Sequence, residues 1–217
     1  TDAIATIEQY HDLGMQTFGG GVSASAAAIP LTIGAKDANI TLLGYNLSTG
    51  GYTLDETPGA NFYTEEKARQ DIADAKARGD FVIVDVQYYE CNEYVDINEN
   101  TTCDAATSSA GDQVGLFRSL IDMGADIVVG TAAHQPQTFE QYHGGTIYYG
   151  LGNLFFDQSA WPGTTRSLIL IHYFFNNQLI QTRIVPTIYD DKMQTQLMDT
   201  ESAASFIERL NQARSQQ

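Results

Sequence analysis

Positive charge is what this sequence has least of. It carries 27 acidic residues against 11 basic ones, a formal net charge of −16. The only lysines are Lys36, Lys67, Lys76 and Lys192. A surface of that sign repels phosphate backbones and anionic lipid headgroups, so nucleic acid is not an expected partner. The plain meaning of the acidity is solubility, and the functional one is attraction of Ca²⁺ or other cations. Cysteine is nearly as scarce, with only Cys91 and Cys103. They flank the acidic, polar loop 92–102 and lack the C-x-x-C spacing of a zinc site. Free thiols and soft metal ligands remain open readings, but a disulfide is favoured. Closing so short a loop stabilises by about 3 kcal/mol on the chain-entropy model, and it implies an oxidising compartment. Sequons at Asn39, Asn46 and Asn100 agree with that compartment only weakly. Also missing are a G-x-S-x-G elbow, a Walker loop and an H-E-x-x-H helix, and no signal peptide or membrane-spanning apolar run is visible in these residues, although a signal would lie ahead of them.

What is present is a globular composition. Hydrophobic residues make up 43% of 217, enough for one domain with a sizeable core, and no repeat or long linker divides it. Apolar spacing predicts helices over 2–13, 112–123 and 201–214, and a short small-residue helix over 23–28. Thr64 opens another helix, with Glu65 and Glu66 in its first turn and Lys76 and Arg78 in its last, as the helix dipole prefers. Strands are predicted over 31–33, 40–45, 81–86 and 127–130, and hairpins over 139–149 and 168–186. Residues 47–63 read as a long polar loop. The order of β-α-β units followed by hairpins points to an α/β sandwich.

The most informative stretch runs from Gly124 to Gln158, GADIVVGTAAHQPQTFEQYHGGTIYYGLGNLFFDQ. A short buried strand opens there into a loop holding His134, with Gln135 and Gln137 beside it. Strand ends that open into such loops are where α/β proteins place ligand or metal chemistry. A neutral imidazole there is a good ligand for Zn²⁺, Mn²⁺ or Fe, although a histidine that only hydrogen-bonds its own loop is the plainer reading. In YYECNEY, Glu90 and Glu93 sit among Tyr88, Tyr89 and Tyr94, a mixture that suits carbohydrate or peptide binding. A merely solvated loop is the alternative. Asn153, after Gly150-Leu-Gly152, suits an amide that pins a sharp turn. His11, His143 and His172 look incidental.

Five segments together resemble the CapA family, associated with poly-γ-glutamate capsule synthesis and a branch of the calcineurin-like metallophosphoesterases. They are HDLGMQTFGGGVSASAAAIPLTI from His11, ITLLGYN from Ile40, GDFVIVDVQYYECNEY from Gly79, VGLFRSLIDMGADIVVGTAAHQPQTFE from Val114 and IYYGLGNLFFDQ from Ile147. The resemblance implies an αββα sandwich of mixed sheets in one domain over 1–217. It also implies that the sequence corresponds to the C-terminal two thirds of the family's domain, because the family's N-terminal Gly-Asp, acidic and Asn-His motifs have no match. His134 then corresponds to the last histidine of the metal-binding loop, and Glu93 to a family glutamate. Gln87 stands in a ligand slot where many relatives have histidine, and Thr131 replaces a second histidine. The implied site is a degenerate metal centre. His134 and Glu93 would be catalytic, His134 and Gln87 would be metal ligands, and Gln87, Tyr88, Glu90 and Asn153 would bind substrate. It would take one divalent metal (Mn, Fe, Zn or Mg) or none, and any activity would be that of a metal-dependent hydrolase. The implied protein is extracellular or envelope-bound and acts on or binds an envelope polymer or glycan. The alternatives are a non-catalytic carbohydrate- or peptide-binding module and a structural subunit of a surface layer or filament.

Overall fold

The structure is a computed structural model that describes residues 2–36, 38–47, 50–88, 112–158, 162–190 and 194–214. The chain opens with helix α1 (Asp2–Asp12), strand β1 (Gly20–Gly21) and the one-turn helix α2 (Ala24–Ala27). Strands β2 (Leu31–Ala35), β3 (Ala38–Asn46), β4 (Tyr52–Thr53) and β5 (Gly59–Asn61) follow. Helix α3 (Glu65–Ala77) leads to β6 (Phe81–Gln87), and α4 (Gln113–Asp122) leads to β7 (Ile127–Thr131). Then come β8 (Phe139–Tyr142), β9 (Gly145–Tyr148) and a 3₁₀ turn over Pro162–Thr165. The long strands β10 (Arg166–Phe175) and β11 (Gln178–Tyr189), the short β12 (Thr195–Leu197) and helix α5 (Thr200–Arg214) complete the order.

Local signals explain the helix starts. Thr64 is extended, and its hydroxyl accepts from the Lys67 N–H, capping α3; Asp112 does the same for α4 through the Gly115 N–H. Six strands form a mixed sheet in the order β2-β3-β6-β7-β9-β8. Its four inner strands run parallel and its two edge strands antiparallel. Strands β10, β11 and β12 form a second, antiparallel sheet, and β1, β5 and β4 a small third one. The last corrects the reading of 47–63 as loop alone.

Side chains alternate across a strand, so each inner strand of the large sheet serves two cores. On one face Leu43, Tyr45, Val82, Val84, Val86, Val128 and Ile147 pack with Ile72 of α3 and Phe117 and Leu120 of α4. Polar ties anchor this layer. The Tyr45 hydroxyl donates to Asp71 at 2.7 Å, the Gln113 amide donates to the Tyr149 carbonyl at 3.1 Å, and Arg118 forks onto Glu140 at 2.6–3.2 Å. On the other face Phe81, Ile83, Ile127, Val129 and Tyr148 meet Leu170, Leu179 and Ile184 of the second sheet. Helix α5 closes a smaller core through Phe206 and Leu210. The α/β sandwich expected from the sequence is therefore the architecture observed. Among the described residues no helix is long and apolar enough to cross a membrane.

Candidate functional site

The parallel register fixes what lies at the carboxyl ends of the inner strands. Asn46 pairs with Gln87, and Gln87 with Thr131, so the last residues of β3, β6 and β7 form one row. Two residues inward, on the same face, Gly44, Asp85 and Val129 form another row. Strand alternation carries Asp85, Gln87 and Thr131 onto the face that Phe81, Ile83 and Ile127 present to the second sheet. Along β6 and β7 that face is apolar until this end, where it turns polar. The Thr131 hydroxyl donates to Gln87 Oε1 at 3.0 Å, tying two neighbouring strand ends.

The loop after β7 brings in the histidine. Gly130 is required at the turn-off, since a Cβ there would lie 2.1 Å from the Tyr149 carbonyl oxygen. Ala132 follows with φ +83°, a left-handed conformation that a non-glycine residue rarely adopts. Backbone held that way clusters at ligand sites, where surrounding structure enforces it. His134 Nδ1 lies 2.9 Å from Asn153 Oδ1. The Asn153 amide nitrogen donates to the Thr164 carbonyl and to Gln158 Oε1, both at 3.2 Å, so its oxygen is the atom facing the imidazole. A carboxamide oxygen only accepts, so Nδ1 carries the hydrogen and donates to Asn153. Gly152, with φ +77°, lets the Asn153 segment approach closely, because a Cβ there would lie 2.5 Å from the Arg166 carbonyl oxygen. Residues 130–134 and 151–153 line a cavity of about 130 Å³. The Phe156 ring sits 5.0 Å from the imidazole, and Phe155 beside it is 74% exposed.

Gln87, His134 and Asn153 thus lie at one end of the large sheet, as the sequence led us to expect. Tyr88 does not join them. It is buried, and its ring packs edge-on against Phe117 at 5.8 Å, on the helix-covered face. Glu90, Glu93, Cys91 and Cys103 lie outside the described residues, and with them the disulfide expected between the two cysteines.

Asp85 is the residue that sequence reading missed. Burial alone pushes its carboxyl up to about 6, and its Oδ1 has no hydrogen-bond partner. The available signal was an aspartate inside the apolar run FVIVDVQ, two residues before Gln87 and so on the same face. Gln135, whose Oε1 is also buried without a partner, was seen only as a neighbour of His134.

A metal pair requires several imidazole or carboxylate ligands on rigid elements. Among the described residues no three His, Cys, Asp or Glu side chains are gathered. Gln87 Oε1 is engaged by Thr131, and His134 Nδ1 by Asn153. The described donor set does not fit a two-metal centre. It does fit recognition by hydrogen bonds: amides, a hydroxyl, an imidazole and a carboxyl lie at one end of the sheet, the hydroxyl, the imidazole and the Asn153 amide beside the cavity.

A family model described as bacterial capsule synthesis protein PGA_cap matches residues 2–158. The chain belongs to this capsule-synthesis family. It is 29% identical over 184 residues to the PGA biosynthesis protein CapA of Bacillus subtilis (strain 168), covering 83% of this chain and 45% of that one. It is 38% identical over 74 residues to the capsule biosynthesis protein CapA of Bacillus anthracis, 34% of this chain and 18% of that one. The chain therefore spans less than half the length of these curated relatives. Among solved structures, Haemophilus influenzae NAD nucleotidase (NadN) overlaps 84% of this chain and 36% of its own at TM-score 0.38 and 8% identity, too slight a likeness to carry an argument.

Proposed function

We propose that this chain is a CapA-type envelope protein that binds a surface polymer, of capsule or polyglutamate type, in the cleft at the carboxyl ends of β3, β6 and β7. One observation supports this above the others. The Gln87–Thr131 and His134–Asn153 pairs stand at the same sheet end, joined by a loop whose Ala132 is held left-handed. Amide and hydroxyl groups at the cleft match the amides of a polypeptide capsule and the hydroxyls of a glycan. In this reading Gln87 and Thr131 orient a repeat unit, His134 exchanges a hydrogen bond with it through Nε2, and Phe156 packs on its apolar side. The metal site is degenerate in the described residues, and the chain's part is recognition. An extracellular or envelope location belongs to the same proposal.

Titration of polyglutamate and of a neutral capsule glycan into the protein tests it. Gln87→Ala and His134→Ala are each expected to weaken binding of one of these polymers at least about tenfold, the scale of a lost hydrogen bond in a desolvated site. Binding of neither polymer, or equal binding by both variants, would sink the proposal.

A structural role in a surface assembly is the second reading. It is favoured by the outer face of the second sheet, where Ile169, Ile171, Tyr173 and Phe175 of β10 alternate outward and are exposed. Light scattering across a concentration series separates the two: a monomer at all concentrations removes the assembly reading.

A further inference from the structure

Helix α5 and strands β11–β12 enclose a groove of about 620 Å³, within the range of small-molecule sites. Arg166 and Arg209 both line it. Their guanidinium carbons lie 5.8 and 6.0 Å from the centroid of one ring, Phe206, which forms part of the wall. Two of only 11 basic residues thus converge on one groove of a protein with net charge −16. Arg209 has no ion-pair or hydrogen-bond partner among the described residues, and its Nε is buried with none. A guanidinium offers five donors in a rigid fork, and a buried donor left without an acceptor is costly. The acidic residues of the wall do not supply one. Asp199 Oδ1 accepts from the Glu201 and Ser202 N–H groups, so that carboxylate caps α5, and Glu201 is exposed.

We propose that this groove binds a small anionic ligand, with a carboxylate or phosphate group seated between Arg166 and Arg209. Guanidinium forks match both groups in geometry and hold them through paired, charge-assisted hydrogen bonds. Ser202 and Ser205, on the same wall, add hydroxyl donors. Each guanidinium lies over the Phe206 ring, a cation–π contact that holds it at the groove wall. The site is distinct from the polymer cleft. The two meet only at the start of β10, where the Arg166 backbone lies against Gly152.

Calorimetric titration at low ionic strength with inorganic phosphate, and separately with glutarate, tests the site. At least one anion is expected to bind saturably with one-to-one stoichiometry, and which one binds identifies the anion class. Arg209→Gln is expected to weaken binding about tenfold or more, and Arg209→Lys, which keeps charge but not the fork, by less. Ser205→Glu, at an exposed helix position, places a like charge in the groove and abolishes binding without disturbing the core, which guards against an Arg209 variant that fails to fold. His134→Ala leaves binding unchanged. The proposal is overturned if neither anion gives a saturable isotherm, if Ser205→Glu binds as the parent does, or if the loss appears in His134→Ala instead.

Discussion

The two faces of the large sheet are built from the same strands and serve different ends. Along β6, Val82, Val84 and Val86 point to the helices, while Phe81, Ile83, Asp85 and Gln87 point to the second sheet. The helix-covered face is apolar along β6 and β7, and its polar groups on β3 are paired, the Thr41 hydroxyl with Asp80 and the Tyr45 hydroxyl with Asp71 of α3. The opposite face begins equally apolar and ends in an amide, a hydroxyl and a buried carboxyl without a partner on one oxygen. A single residue step in register therefore separates scaffold from site. A carboxyl whose pKa burial raises to about 6 must ionise in a desolvated place at neutral pH, which weakens the fold, and groups kept at such a cost mark function more often than structure.

The largest expected effect is on the scaffold side. Phe117→Ala removes a fully buried ring that stacks on Tyr149 at 5.7 Å, and should lower stability by about 3–5 kcal/mol in denaturant titration, with polymer affinity per folded molecule unchanged. A matching loss of affinity would erase the division between the faces.

Asp85→Asn should act in the opposite direction. The folded-state pKa of Asp85, about 6, lies above its ordinary 3.8, so the folded protein keeps this proton longer than the unfolded chain does. Stability is then full at low pH and falls as pH rises through that window. The asparagine variant should lack this fall and be more stable than the parent at pH 8, by about 2–3 kcal/mol for a shift of that size. Melting curves across pH check it, and a variant no more stable than the parent at pH 8 would remove Asp85 from the argument.

Asn153→Ala comes next. It removes the acceptor of His134 and two donated hydrogen bonds, and should cost about 1–3 kcal/mol while weakening polymer binding. Gln87→Ala should change stability least, by about 1 kcal/mol or less, because it ends one bond at the rim of the sheet. Its effect should fall on binding. If Gln87→Ala proves as destabilising as Phe117→Ala, the row at the strand ends is scaffold too.

Much of this was readable before the fold was known. Alternation and helical spacing mark the principal elements, and the cap at Thr64 marks where one helix begins. The short strands β4, β5 and β12 were not readable, because two or three residues carry no period, and β5 forms by pairing with Gly20–Gly21 on one side and Tyr52–Thr53 on the other. The polar loop reading of 47–63 failed for that reason. At the site, the glycines around Leu151 announced a sharp turn, but its contact with His134 joins residues 19 apart and has no local signature. Tyr88 looked like a cleft residue because it follows Gln87, and the same adjacency in a strand sends it to the other face. Asp85 was passed over as one more position in a buried strand, although its charge was the anomaly to notice.

The most direct test is polymer binding measured in excess EDTA, for the parent and for His134→Ala. If the cleft recognises its ligand through the Gln87–Thr131 and His134–Asn153 pairs, the parent isotherm survives the chelator and the variant loses about tenfold or more in affinity. An isotherm abolished by the chelator, or one that His134→Ala leaves intact, would contradict it.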